Sequence, residues 1–138
     1  MQFRKCTEGD YESVIGLFKQ SGQYDPTWDT AENLREKITR LPDSILLCEV
    51  DGDMVASVFT MEDGWGTFIY RLVVREDKRK QGIGKALMEH AETVLRQKGK
   101  KEAAIFVHDV RQDLLDWYAA QGYLLEDPKS YRSLYKKL

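Results

Sequence analysis

Apolar and polar positions along this chain switch between two periods, and the switches predict its elements. Behind a short first strand at 2–6, apolar residues recur at Tyr11, Val14, Ile15 and Phe18, the spacing of a helix with one buried face. Thr7 is placed to cap that helix and Gly22 to end it. Ala31, Leu34, Ile38 and Leu41 repeat the helical pattern, with Asp29 or Thr30 as cap and Pro42 as stop. The period then shortens. Residues 45–50 read as a strand, Asp51-Gly52 as a tight hairpin turn, and 54–61 as the partner strand. A second turn at Glu62-Asp63-Gly64 leads into a long strand over 65–74. Three consecutive antiparallel strands are therefore predicted.

A charged turn, Arg75 to Lys80, and two glycines separate this last strand from the best-specified helix. Its apolar stripe is Ile83, Ala86, Leu87, Ala91, Val94 and Leu95. Lys85/Glu89 and Glu92/Arg96 pair on the wet side, and Gly99 is the natural stop amid Lys98, Lys100 and Lys101. His90 lies beside the stripe and reads as a packing residue. Residues 103–107 form a short apolar strand, and strand, helix and strand in this order imply a right-handed crossover to a parallel partner. Asp109 is placed to cap a last helix with Gln112 in a capping box. Leu114, Leu115 and Tyr118 form its inner face and Gly122 its end. A hairpin of 123–126 and 131–136 through Asp127-Pro128 closes the series. The order is β-α-α-β-β-β-α-β-α-β-β, an α+β chain with a mixed, mostly antiparallel central sheet flanked by helices.

Composition narrows the function classes. A chain of 138 residues fits one domain, 1–138. A net charge of -2 gives no drive toward nucleic acid or an anionic membrane. The basic clusters Lys78-Arg79-Lys80 and 98–101 suit a small anionic ligand instead. Cys6 and Cys48 sit in apolar, strand-like surroundings without metal-ligand spacing, which predicts free buried thiols and a reducing cytoplasm. Charges at Arg4, Lys5, Glu8 and Asp10 predict no secretory signal, and no stretch reaches membrane-spanning length. With two histidines and neither HExxH nor CxxC, no metal site is expected.

The stretch with the clearest chemistry is Arg79-Lys80-Gln81-Gly82-Ile83-Gly84-Lys85. Glycine lets a backbone turn tightly and approach a ligand closely. Amides at Gly82, Ile83, Gly84 and Lys85 fall in the first helical turn, where the helix supplies no partner and the dipole favours an anion. A glycine-softened turn with a solvated basic run is the plainer alternative. Separately, the loop 21–29 carries Tyr24, Asp25 and Trp28, an aromatic and acidic set suited to an ammonium group or, for Trp28, to pinning the loop.

Two motifs and their spacing resemble the GNAT superfamily of acyl-CoA-dependent N-acetyltransferases over essentially the whole chain. Arg79-Lys80-Gln81-Gly82-Ile83-Gly84 is similar to its Q/R-x-x-G-x-G/A signature, and 114–123, ending Tyr118-Ala119-Ala120-Gln121-Gly122-Tyr123, is similar to its LYxxxGF ending. The resemblance implies acetyl-CoA as donor, with the pyrophosphate on the amides of Gly82, Ile83, Gly84 and Lys85 and with Arg79 beside them. It implies that Leu72, Val73 and Val74 pair with the pantetheine arm where this strand splays from 103–107. It also implies that Tyr118 protonates the departing thiolate, a role suited to a phenol that stays protonated at neutral pH.

The resemblance further implies direct attack by an amine, a small amine, amino acid or peptide N-terminus, in a protein that often pairs as a homodimer. Two positions depart from the pattern. Arg111 stands where an asparagine is common, and Phe68 where some members place a glutamate base. The base is then open among Glu62, Asp63 and Asp25. On the central strand Tyr70 and Arg71 alternate to opposite faces, and an Arg71 facing the cleft would favour a carboxylate-bearing substrate. The alternatives are a non-catalytic acyl-CoA-binding or regulatory module of the same fold, and an unrelated nucleotide binder. The second lacks the lysine-hydroxyl pair of a P-loop.

Overall fold

Among the described residues four strands pair antiparallel in the order β1-β2-β3-β4: β1 Gln2–Lys5, β2 Ile45–Val50, β3 Asp53–Glu62 and β4 Thr67–Val74. They belong to a computed structural model that describes residues 1–107, 110–125 and 134–138. The described chain forms two units, Met1–Ile105 and Phe106–Leu138.

In the first unit the turn between β2 and β3 is Asp51-Gly52, both at positive φ (52° and 83°), the geometry an Asp-Gly pair adopts readily. β2 is apolar at successive positions because both of its faces are covered. Ile45 and Leu47 join Val14, Leu17, Phe18 and Leu34 from helices α1 (Tyr11–Gln20) and α2 (Ala31–Arg40). Leu46 and Cys48 alternate to the other face, and both are fully buried. Helix α3 (Ile83–Gln97) packs against β2, β3 and β4 and buries Ile83, Leu87, Met88, Ala91 and Leu95. Val94 and Ala86 are only half-buried, and Met88 takes a core place that the predicted stripe omits. His90 stacks on Phe3 with ring centroids 4.7 Å apart. Cys6 and Cys48 are buried free thiols.

Several boundaries differ from the sequence reading. Thr7 caps a single 3-10 turn, Glu8–Asp10, in a capping box with Asp10, and α1 starts only at Tyr11. Thr30, not Asp29, caps α2, accepting the Asn33 amide at 3.1 Å. Trp65 lies outside β4 and is 98% exposed, because Asp63 Oδ1 accepts the amides of Trp65 and Gly66 and holds a tight turn there.

β4 contains a bulge. Ser57 faces Val73 and Phe59 faces Tyr70, so an extra residue on β4 is accommodated between them, and Arg71 takes φ 52°. The predicted strand at 103–107 reduces to one parallel bridge, Phe68 to Ala104, with Ile69 N–H to Ala104 O at 3.0 Å. Past Ile69 the outer edge of β4 carries no strand among the described residues.

In the second unit α4 spans Gln112–Ala119. Arg111 is its N-cap, and Gln112, at the first helical position, donates to Asp116 Oδ1 at 2.8 Å. Gly122 turns the chain at φ 92°. Residues 123–125 and 134–138 have no regular structure. The expected cap at Asp109 and the hairpin segment 126–133 lie outside the described residues.

Candidate active site

The glycine stretch begins where β4 ends. The Arg75 amide donates to Val55 O at 2.7 Å, a 3-10 turn follows at Glu76–Lys78, and Arg79 Nε reaches back to Val74 O at 3.1 Å. Lys80 (φ 60°) and Gly82 (φ 82°) are both left-handed, which swings the chain into α3 with Gly82 as its N-cap. Gly82 has no side chain to cap the helix, and the first helical bond closes at the Ala86 amide, 3.0 Å from Gly82 O. The amides of Ile83, Gly84 and Lys85 therefore have no intrahelical acceptor. The first turn holds no acidic residue, so nothing in it competes with an anionic ligand. A Cβ built on Gly82 meets nothing within 4 Å among the described residues. Leu72, Val73 and Val74 lead directly into this loop along an edge of β4 that carries no strand among the described residues. These features fit a phosphate-bearing ligand whose chain runs along that edge.

A cavity of about 700 Å³ opens between α1, α2, the loop 23–30 and the bulged part of the sheet. Phe18, Leu34 and Phe59 give it apolar walls. Four of the residues expected on the substrate side meet here, Asp25, Trp28, Tyr70 and Arg71, while Tyr24 does not line it and instead lies under Lys19, 4.9 Å from Nζ to ring centroid. Trp28 is 68% exposed, so it lines the cavity without pinning the loop to the core.

Strict alternation would send Tyr70 and Arg71 to opposite faces. The bulge overrides it, and both face the cavity. The Arg71 guanidinium stacks on Phe18 at 3.9 Å and is spent on Asp29, through Nη1 to Oδ1 and through Nη2 to Oδ2 at 2.8 Å. Nη2 also donates to Gln23 O at 2.8 Å. Burial pushes the Asp29 carboxyl up, but the Arg71 and Asp25 N–H hydrogen bonds and the Arg71 charge outweigh it, so it sits below the usual carboxylate value. Arg71 thus faces the cavity, as the expectation for a carboxylate-bearing substrate required, with its guanidinium engaged as a clamp on the loop by Asp29 and Gln23 O.

Two of the three candidate bases are also committed elsewhere. Glu62 pairs with Lys100 at 2.6 Å and Lys98 at 3.2 Å, and these hydrogen bonds lower its pKa. Asp63 is held down by the amides of Gly66 and Trp65. Asp25 alone of the three lines the cavity, with Oδ1 accepting the Thr27 amide at 2.9 Å.

Lys37 was absent from the sequence reading. Its Nζ donates to Thr60 O at 2.6 Å and lies 5.1 Å and 5.5 Å from the ring centroids of Tyr70 and Phe59. Burial pushes its pKa down to about 8. The available signal was its place three residues after Leu34 and one before Ile38, at the margin of the apolar stripe.

In the second unit Tyr118 packs edge-on against Trp117 and Tyr123, with ring centroids at 4.8 Å and 5.7 Å. Burial raises its phenol above the ordinary value. Arg111 pairs with Asp113 through Nε (3.0 Å) and Nη2 (2.9 Å), so its exposed guanidinium already has a local counter-ion.

The comparisons with known proteins fit this architecture. The Acetyltransferase (GNAT) family model matches residues 11–123. An acetyltransferase of Pectobacterium atrosepticum is 29% identical over 123 residues, covering 89% of this chain and 87% of its own. One of Sodalis glossinidius is 28% identical over 127 residues, covering 92% and 89%. Among solved structures, the PaiA N-acetyltransferase of Thermoplasma acidophilum in complex with coenzyme A superposes with a TM-score of 0.80 at 21% identity, covering 94% of this chain and 92% of that one. An aminoglycoside acetyltransferase from a soil metagenome reaches 0.77 at 19% identity, covering 99% and 95%. With both motifs, the sheet and the glycine-capped helix in place, the chain belongs to the GNAT family of acetyltransferases.

Proposed function

We propose that this acetyltransferase moves an acetyl group from acetyl-CoA to a primary amine by direct attack, with Tyr118 as general acid. The observation that carries the donor assignment is the run of amides at Ile83, Gly84 and Lys85 that have no acceptor among the described residues, behind the left-handed Gly82 and beside an edge of β4 that carries no strand among them. Those amides and Arg79 would hold the coenzyme's pyrophosphate, and the backbone of Leu72, Val73 and Val74 would hold its pantetheine arm. The coenzyme supplies an acetyl group already activated as a thioester. The coenzyme A complex of the Thermoplasma protein supports this choice of donor. The match of the family model across both units supports treating 1–138 as one functional domain.

The protein's own groups then divide the proton work. Tyr118 keeps its proton at neutral pH as any phenol does, burial raises its pKa further, and it can deliver that proton to the departing sulfur. Asp25, on the cavity wall, takes the proton that an ammonium acceptor must lose, directly or through water.

Thiol release from acetyl-CoA, measured across small amines, amino acids and short peptides, tests the reaction; no release above hydrolysis with any of them overturns it. Tyr118→Phe keeps the ring packing and removes only the hydroxyl. It is expected to lower kcat by about 100-fold, the size of a lost general acid, with KM little changed. Turnover equal to wild type would remove Tyr118 from the mechanism.

A further inference from the structure

We propose that Lys37 is the anion anchor of the acceptor pocket, and that the natural acceptor is an amine carrying a carboxylate on an apolar or aromatic body. This rests on the reading of the α1–α2 cavity as the acceptor site. Two cations line that cavity. Arg71 is neutralised by two hydrogen bonds to Asp29. Lys37 has no carboxylate within ion-pair distance among the described residues. One of its protons goes to Thr60 O, and a lysine ammonium has three to give. Its other neighbours include the faces of Phe59 and Tyr70, which attract a cation but accept no conventional hydrogen bond.

A half-buried ammonium without a counter-ion is costly, and the cost is relieved when a ligand brings one. An acceptor carboxylate at Nζ would meet the unused protons while its body lies against Phe18, Leu34 and Phe59. Asp25 and Trp28, on the loop wall, are left for the amine end. Among the described residues the cavity thus offers one cation and one carboxylate without an ion pair, Lys37 and Asp25, and aromatic walls. That pattern complements a zwitterion with an apolar side chain better than a polyamine or an aminoglycoside, which bring cations only.

The test separates binding from turnover. 3-Phenylpropanoate and its neutral analogue 3-phenylpropanamide share an aromatic body and lack an amine, so neither reacts. Calorimetry on the wild-type protein is expected to show at least tenfold tighter binding of the carboxylate. Lys37→Met, which keeps the length of the stem, is expected to bring the two probes within about threefold of each other. Raising the pH through about 8 should weaken carboxylate binding in wild type and leave Lys37→Met unaffected. That contrast distinguishes Lys37 from the other ionisable groups facing the cavity, Tyr11 on α1, Asp25 and Asp29 on the loop, and Tyr70 and Arg71 on β4. Equal affinity for both probes, no binding of either, or a preference that survives Lys37→Met overturns the anchor. A clear carboxylate preference without thiol release from acetyl-CoA would leave the anchor standing and overturn the transfer reaction instead.

Discussion

Asp29→Ala is expected to destabilise the protein by about 3 kcal/mol, the lower end of the range for breaking a buried ion pair from one side. The Asp29 side chain is 4% exposed and that of Arg71 22%, so truncation leaves a largely desolvated guanidinium against Phe18 with no counter-ion. The carboxylate also accepts the Asp25 amide at 2.8 Å, and the backbone carbonyl of Asp29 accepts the Tyr11 hydroxyl at 2.7 Å. Losing the side chain therefore loosens the loop that carries Asp25 and Trp28 as well as the pair itself. Thermal unfolding should show the midpoint falling by roughly 10 °C for a chain of this size. Adding Arg71→Met should recover part of the loss by removing the stranded charge, and a drop under about 1 kcal/mol would show the pair to be incidental. The pH dependence follows from the lowered pKa of Asp29. Its contribution is fully present above the unfolded value near ~3.9 and is lost as the pH falls through the lower folded-state value.

The same pair shows where the sequence stops being informative. Asp51-Gly52, the glycines after β4 and the stripe of α3 were legible because each is a local pattern whose geometry depends on its own residues. The β4 bulge is not local. Arg71 adopts a positive φ with no glycine to announce it, held by Asp29 and Phe18 from distant parts of the chain. Alternation therefore put Tyr70 and Arg71 on opposite faces when both line one cavity.

Lys37 was hidden for a related reason. Lys37 sits among the charged residues Arg35, Glu36 and Arg40 of α2, and the approach of Phe59 and Tyr70 from the sheet encloses it. Asp29 and Thr30 were both plausible caps. Thr30 takes the role because Asp29 is drawn to Arg71. The glycine turn after β4 and the helix it opens were thus readable from local turn chemistry, and the lining of the α1–α2 cavity required tertiary contacts.

Gly82→Val is expected to weaken acetyl-CoA binding by at least 100-fold while leaving the protein folded. Gly82 sits at φ 82°, where a β-branched residue is strongly disfavoured. The strain costs roughly 1–2 kcal/mol, well below what unfolds a typical domain. Room is not the obstacle, since the added Cβ meets no atom within 4 Å among the described residues. Valine can relieve the strain only by rotating the backbone out of the left-handed region. That rotation turns away the first-turn amides which, on the proposed donor assignment, would receive the pyrophosphate, and the side chain would also occupy the space the phosphates would approach. Gly82→Asn separates the two effects, because asparagine tolerates the left-handed backbone. It should leave the melting temperature near wild type and bind with intermediate affinity, the residual loss reporting side-chain bulk alone. Calorimetry with acetyl-CoA on the three proteins reads the series directly. Unchanged affinity in Gly82→Val would mean that the phosphates do not lie on this helix, and the donor assignment would fall with it.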